Sequence, residues 1–268
     1  MKISVIIPTY KPKEYLWECL NSLISQTLSK NEFEVIIVLN GCAEPWQSKI
    51  EDYISINMPD MIIKFLQTDV GGVSNARNIA LDAATGEYVI FIDDDDYVSP
   101  GYLEHLINKA DHNTVVLSNT IAFDDYSKAV IPDFQLSFVY KRCSNIENVR
   151  LSSIVRKYFS GPCMKLIPMK FIQTRRFDVR FKNGEDSLFM FLISDNIKSI
   201  RFSSEEAIYY RRYRESSAIT CKGPIKDRFI NSLKLIREYC IIALKYRVDF
   251  LFFITRILGA IKSIFITY

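Results

Sequence analysis

Over its first hundred residues the chain alternates short β-branched runs with stretches of helical period, and few architectures accept that alternation. Apolar runs at Ile3–Ile7, Phe33–Leu39, Ile62–Leu66 and Tyr88–Ile92 read as four strands. The second and fourth are apolar on both faces, as strands are when helices cover a parallel sheet from both sides. Between the first two, Tyr15–Leu28 carries Leu16, Cys19, Leu20, Leu23 and Ile24 at helical spacing. Between the third and fourth, Ser74 is placed to cap a helix that turns Ala76, Ile79, Ala80 and Ala83 inward and ends at Gly86. A helix follows Pro100 to about Ala110, then a strand at Thr114–Ser118, while Asn119–Phe181 reads as irregular. The expected fold class is α/β, with a mostly parallel central sheet flanked by helices.

Composition removes other classes. With 268 residues, 49% apolar and 24% charged, the chain is too apolar for disorder and lacks the repeats of collagen or a coiled coil. A net charge of +3 is too slight for a nucleic-acid footprint, so no nucleic-acid partner is expected. From residue 222 onward there are nine Lys/Arg and three Asp/Glu, a net of +6, which leaves −3 on residues 1–221. The six cysteines are scattered without a CxxC pair, which fits reduced thiols in a cytoplasmic protein. Neither a signal peptide nor an uncharged apolar run of membrane-spanning length is read.

In an open parallel sheet, ligands bind where the strands end at their carboxyl edge. Here the four strands end in Pro8-Thr9-Tyr10, Asn40-Gly41, Thr68–Gly72 and Asp93-Asp94-Asp95-Asp96, so polar groups crowd one rim. Like charges about 6 Å apart repel by roughly 2 to 3 kcal/mol at an effective dielectric near 20, and such a run calls for a positive partner. A hard divalent cation, Mn²⁺ or Mg²⁺, suits carboxylate oxygens and leaves positions for a diphosphate. A solvated acidic turn is the plain alternative, and placement at the rim tips the balance toward the cation. Arg77, read in the first turn of its helix, opposes the dipole there unless an anion is near.

These residues resemble the family 2 glycosyltransferases with the GT-A fold. The resemblance rests on Ser4–Tyr10 (SVIIPTY), Gly72–Asn78 (GVSNARN), Gly86–Asp96 (GEYVIFIDDDD) and Asn183–Asp186 (NGED), in matching order over roughly residues 1–220. It implies a GT-A nucleotide-diphospho-sugar transferase fold with a nucleotide-sugar donor lying across the strand ends. Pro8, Thr9 and Tyr10 would then lie near the nucleoside and Arg77 near the nucleotide. Asp93 and Asp95 match the DxD pair, Asp93 facing ribose or sugar and Asp95 holding the metal, with Asp94 between them at the donor. One departure stands out: the second strand ends in Asn40-Gly41-Cys42 where the family often has Asp-Asp-Gly-Ser. Asn40 can accept from a pyrimidine N–H or donate, which favours a UDP-sugar and leaves the base open.

Glu185–Ser194 reads as a helix after the turn Asn183-Gly184, and its dipole favours ionised Glu185 and Asp186 in the first turn. By the resemblance, Asp186 is the general base for an inverting displacement, and Glu185 an acceptor or loop contact. The segment Gly161–Leu166, with Lys165, matches one that precedes the base and lines the acceptor site. Arg212, Arg214 and Ser217 match a pattern that closes over the donor; arginines on a solvated edge strand are the equal alternative.

The expected organisation is a catalytic domain over residues 1–221, split into a nucleotide half (1–118) and an acceptor half (119–221), followed by a basic, apolar helical segment over 222–268. In that segment Phe229, Leu233, Ile236, Cys240, Ala243 and Leu244 form a stripe that should pack, and Phe250–Tyr268 should be covered. Basic charge beside bulky apolar side chains fits peripheral contact with the inner face of an anionic membrane, where a lipid-linked glycan acceptor is found; a homodimer contact or a cap over the catalytic domain competes. The function expected is metal-dependent sugar transfer to a hydroxyl of a surface glycan such as a capsule or O-antigen. A non-catalytic nucleotide-sugar binder and a DxD phosphatase are the alternatives, the latter disfavoured because three strands precede the aspartates.

Overall fold

Strands that are apolar on both faces take the middle of the sheet. The structure, a computed structural model, describes residues 1–147, 149, 151, 154–214 and 224–265; Ser217 and Cys221 lie outside these. In chain order the elements are β1 (Ile3–Thr9), α1 (Tyr15–Ile24), β2 (Phe33–Asn40), α2 (Trp46–Asn57), β3 (Ile62–Thr68), α3 (Val73–Ala83), β4 (Tyr88–Phe91), β5 (Tyr97–Val98) and α4 (Tyr102–Ile107). They continue with β6 (Thr114–Leu117), β7 (Asn119–Asp124), α5 (Gln135–Cys143), β8 (Lys165–Pro168), α6 (Met169–Ile172), α7 (Glu185–Leu192), β9 (Ser199–Phe202), β10 (Ile208–Tyr213), α8 (Ile225–Lys245) and α9 (Phe250–Phe265).

The main sheet runs β3-β2-β1-β4-β8-β6-β9. β1 is parallel to β2 and β4, with Ile3 beside Phe33 and Tyr88, and β2 is parallel to β3. β8 enters antiparallel between β4 and β6, so the second half of the sheet is mixed. Every residue of β1, β2 and β4 is buried, whereas β3 is the half-exposed edge. A smaller sheet, β5-β10-β7, stands over the strand ends. The stretch expected to be irregular therefore holds β7, α5, β8 and α6, elements too short for their period to show in sequence.

Several local expectations are corrected. α1 stops at Ile24 because the Thr27 N–H turns away to the carbonyl of Pro100 (2.9 Å) and Gln26 bonds Ser99 (2.8 Å). Gly72, at φ 131°, precedes α3 in place of a Ser74 cap; Ser74 lies inside the helix, buried, its Oγ without a partner. Gly86 does not end α3, which stops at Ala83; a side chain there would sit 2.5 Å from the Ser4 nitrogen, so its role is close packing on β1. β10 is the central strand of the small sheet, not a solvated edge. On α8 the packed face is Ser232, Leu235, Tyr239 and Ile242, while Phe229, Leu233 and Leu244 of the expected stripe are exposed. α9 is covered only in part, with Phe252, Ala260 and Ile264 buried and Phe250, Leu251, Leu258 and Phe265 exposed. Tyr239 and Phe252 both pack on Phe191 of α7, which fixes the inward faces of α8 and α9.

Candidate active site at the strand ends

A cavity of about 670 Å³ opens at the carboxyl edge of the parallel strands. β1 contributes Pro8, Thr9 and Tyr10; β2 contributes Asn40 and Gly41; the turn after β3 contributes Asp69, Gly71 and Gly72; and Asp93, Asp94 and Asp95 follow β4. Tyr15 and Arg214 complete the wall. Gly41 is at φ +65°, and a side chain on it would meet the Gly71 Cα at 2.8 Å, so two of the loops touch backbone to backbone. Asn40 holds the same junction. Its Nδ2 donates to the Thr9 carbonyl and its Oδ1 accepts from the Gly72 N–H, both at 2.8 Å. Asn40 thus fastens β1 to the β3 loop while lining the cavity, with one N–H and one lone pair of its amide engaged.

The four aspartates diverge. Asp93 accepts from Arg77 Nη2 (2.9 Å), Asp94 from the Thr9 hydroxyl (2.5 Å) and Asp95 from Arg214 Nη2 (2.5 Å). Asp96 points into the core, where the Tyr209 hydroxyl (2.7 Å) and the Arg212 N–H (2.8 Å) hold it. Burial, reinforced by Asp95 and Asp93, pushes Asp94 up to about 7, against the pull of the Thr9 hydroxyl. Burial and Asp93 likewise raise Asp95. The cavity thus carries more negative charge than its own cations neutralise, and its donors are hard carboxylate oxygens, which suits Mn²⁺ or Mg²⁺. Among the described residues no group of three or more His, Cys, Asp or Glu forms a cage for a metal. A site completed by diphosphate oxygens needs only one or two carboxylates.

Arg77 joins this cavity to α7. It is the fifth residue of α3, past the first turn, and only 2% exposed. Its Nη1 donates to Asp186 Oδ1 (2.5 Å) and its Nη2 to Asp93 Oδ1 (2.9 Å). The first-turn placement is corrected; the guanidinium stands behind the cavity wall, where it holds the lining residue Asp93. Burial weakens its hold on the proton, but Asp186 and Asp93 more than reverse that and keep it charged.

Asp186 and Glu185 open α7, after Gly184 at φ +89°. The helix dipole was expected to favour both anions; burial outweighs it. Asp186 is raised by burial despite Arg77, and Glu185 is pushed up to about 7 by burial and by Asp186. Glu185, read as an acceptor or loop contact, is 9% exposed with an unpartnered Oε2. The expected place of Lys165 in the acceptor lining is corrected. It is fully buried and closes the Gly161–Cys163 turn by donating to both carbonyls (2.7 and 2.5 Å), and burial lowers its pKa to about 7. The turn, rather than the lysine, faces Asp186: a side chain on Gly161 would lie 3.8 Å from Asp186 Oδ2.

Arg212 is committed too. Its side chain donates to Glu18, to Asp125 (2.5 Å) and to the Asp95 carbonyl (2.7 Å), so it anchors the acidic turn instead of closing over a donor. Arg214 stays at the rim, over the Tyr15 ring at 4.6 Å. Tyr15 and Asp69 line the cavity without having been singled out. The strand-end rule pointed to Asp69; nothing local marked Tyr15, the first residue of α1.

Residues 4–164 match the sequence profile of glycosyl transferase family 2. The chain belongs to that family. Poly(ribitol-phosphate) beta-N-acetylglucosaminyltransferase TarS of Staphylococcus aureus is 29% identical over 245 residues, 88% of this chain and 40% of TarS. Minor teichoic acid biosynthesis protein GgaB of Bacillus subtilis is 30% identical over 241 residues, 86% of this chain and 25% of GgaB. The chain therefore spans well under half the length of either relative. The crystal structure of S. aureus TarS 1-349 in complex with UDP-GlcNAc superposes with a TM-score of 0.75 at 24% identity, over 98% of this chain and 72% of that one. The mannosyltransferase PcManGT of Pyrobaculum calidifontis, in complex with GDP-Man and Mn²⁺, gives 0.63 at 17% identity, over 98% and 69%. The fold is accordingly GT-A-like: a mostly parallel α/β sheet flanked by helices, with a helical C-terminal pair.

Proposed function

We propose that the chain catalyses metal-dependent, inverting transfer of a sugar from a nucleotide donor to a hydroxyl of a cell-wall glycan of the teichoic-acid class. One observation carries this reading: Arg77 grips Asp93 at the donor cavity and Asp186 at α7 together, so a donor-side carboxylate and a candidate base sit on opposite ends of one buried cation. A glycan hydroxyl entering beside Gly161 meets Asp186, whose carboxylate takes its proton as the oxygen attacks the anomeric carbon from the face opposite the diphosphate. A single displacement inverts that carbon. Pro8, Thr9, Tyr10 and Tyr15 hold the nucleoside, and Arg214 faces the phosphates. Asp93 and Asp95 are the DxD pair that holds Mn²⁺ or Mg²⁺, which neutralises charge developing on the leaving diphosphate. A UDP-sugar is the supported donor because TarS, the relative above, is seen with UDP-GlcNAc. Residues 1–221 are the catalytic unit.

Titration with UDP-GlcNAc, with Mn²⁺ or with chelator, tests the donor side. Chelation and Asp95→Asn should each weaken binding at least about tenfold, the scale of one charge-assisted contact; unchanged affinity in both refutes the role of Asp95. Donor binding with no transfer to any glycan marks the non-catalytic alternative.

A second, separate proposal concerns the helical pair. Among the described residues no helix is long and apolar enough to cross a membrane. Phe229, Leu233, Leu244, Phe250 and Phe265 are nonetheless exposed, beside Lys234, Lys245 and Lys262. That pairing supports peripheral contact with an anionic bilayer on its cytoplasmic face. Flotation with phosphatidylglycerol vesicles should carry the protein upward; protein left behind and sedimenting as a dimer assigns the face to a second copy instead.

A further inference from the structure

Between the first turn of α7 and the pair α8 and α9 lies a second cavity, of about 270 Å³. Ser187, Asn231, Leu235, Tyr239, Thr255 and Arg256 form most of its wall, and among the described residues no carboxylate lines it. Arg256 donates through Nη1 to the Ser187 hydroxyl (2.8 Å) and through Nη2 to the Arg156 carbonyl (3.1 Å), two neutral partners. Its buried Nε has no hydrogen-bond partner. Arg156, itself buried, leaves Nε and Nη1 unpartnered, and its nearest carboxylate is Asp249 at 4.0 Å. Burial lowers the pKa of both guanidinium groups, and the charge on Arg156 adds to the effect at Arg256. Arg156 is buried and Arg256 half-buried over the Phe252 ring, and with one carboxylate at 4.0 Å among the described residues the pair is costly unless a further anion is supplied.

The hydroxyl hydrogens lead to the same ligand. Ser187 Oγ and the Tyr239 hydroxyl are 2.9 Å apart, and one hydrogen bridges them. Arg256 already occupies a lone pair on Ser187. Two hydroxyls carry two hydrogens, so whichever one donates, a second O–H is left without an acceptor. The wall therefore offers an O–H and the positive charge of Arg256.

We propose that this cavity binds an anionic group of the phosphate class through Arg256, Ser187 and Tyr239, and that in turnover the group is a phosphodiester of the acceptor chain. A tetrahedral anion presents several acceptor oxygens, so it can take the spare O–H while balancing the guanidinium, which a neutral carbonyl cannot. Ser187 directly follows Asp186 in the first turn of α7, and the two leave that turn toward different sides, Asp186 to Arg77 and Ser187 to Tyr239 and Arg256. A polyol-phosphate chain lying across that turn would set its phosphate on one side and its reacting hydroxyl on the other. The acceptor assignment rests on the glycosyltransferase reading; the anion site does not.

The test titrates the whole chain with inorganic phosphate, glycerol 3-phosphate and acetate, and with UDP-GlcNAc in a separate run. Both phosphates should bind the wild type more tightly than acetate, and Arg256→Gln should weaken them about ten- to a hundredfold with donor affinity unchanged. Ser187→Ala keeps the guanidinium and should weaken phosphate less, about three- to tenfold; it also serves if Arg256→Gln melts early in phosphate-free buffer. Equal phosphate binding by wild type and both variants overturns the site, and acetate binding as tightly as phosphate overturns the ligand class. In transfer assays the KM for a polyol-phosphate oligomer should rise in Arg256→Gln while flotation with phosphatidylglycerol vesicles is unaffected. Lost flotation with unchanged KM gives the site to a lipid headgroup and overturns the acceptor assignment. Failure of the wild type to bind UDP-GlcNAc strikes the glycosyltransferase reading alone and leaves the phosphate comparison readable.

Discussion

Arginines at the strand ends and arginines beneath the C-terminal helices have opposite surroundings. Arg77 touches Asp93 and Asp186, and Arg212 touches Glu18 and Asp125. Arg256 meets a hydroxyl and a carbonyl, and Arg156 comes no nearer to a carboxylate than 4.0 Å. A cation balanced by the protein's own anions acts as scaffold, holding carboxylates in place. A buried cation without them is a place prepared for something else. The apolar side chains divide the same way: β1, β2 and β4 are closed on both faces, while α8 and α9 leave large side chains in solvent.

The largest expected contrast in stability is between the two kinds of arginine. Arg77→Met strands two partly buried carboxylates and should cost about 3 kcal/mol in urea unfolding. Arg256→Met leaves no carboxylate behind and should cost less than about 1 kcal/mol, since the lost hydrogen bonds are offset by removal of an unbalanced charge. Equal losses would break the distinction. Next come the two faces of α8. Leu235→Ala, on the buried face, should cost about 2 to 3 kcal/mol, and Leu233→Ala, on the exposed one, within about 0.5 kcal/mol. A comparable loss at both positions means that the outer face is covered in solution.

The smallest effect is in pH dependence. Burial holds Lys165 near 7, below the ordinary lysine value of 10.5. Between those values the unfolded chain binds the extra proton, so the lysine makes stability rise with pH across about 7 to 10.5 and has no further effect below 7. Lys165→Met should flatten the slope of unfolding free energy in that window. Identical slopes in both proteins contradict the burial assigned to the amine.

The sheet was legible because a strand buried on both sides must be apolar throughout, and Phe33–Leu39 and Tyr88–Ile92 are. The polar rim followed from the same reading, since parallel strands put their carboxyl ends together. The partners of each rim residue did not follow. Asn40 has donor and acceptor capacity in any sequence, and only the approach of Thr9 and Gly72 shows that one of each is engaged in holding the loops. Arg77 lies 109 residues from Asp186, a pairing that no local spacing reveals. Lys165 reads as an exposed cation until the Gly161–Cys163 turn wraps its ammonium. On α8 the most apolar stripe was the wrong guide, because the choice of face depends on what α7 and α9 present to it. Tyr239 and Ser232, polar residues, fill that contact through hydrogen bonds to Ser187 and Ser263.

The most direct measurement compares Asp186→Asn with the wild type for both donor affinity and turnover, using UDP-GlcNAc and a polyol-phosphate acceptor. With Asp186 as general base, kcat should fall about 10²- to 10⁴-fold while the donor binds almost as before. Turnover close to that of the wild type would contradict the account at its centre.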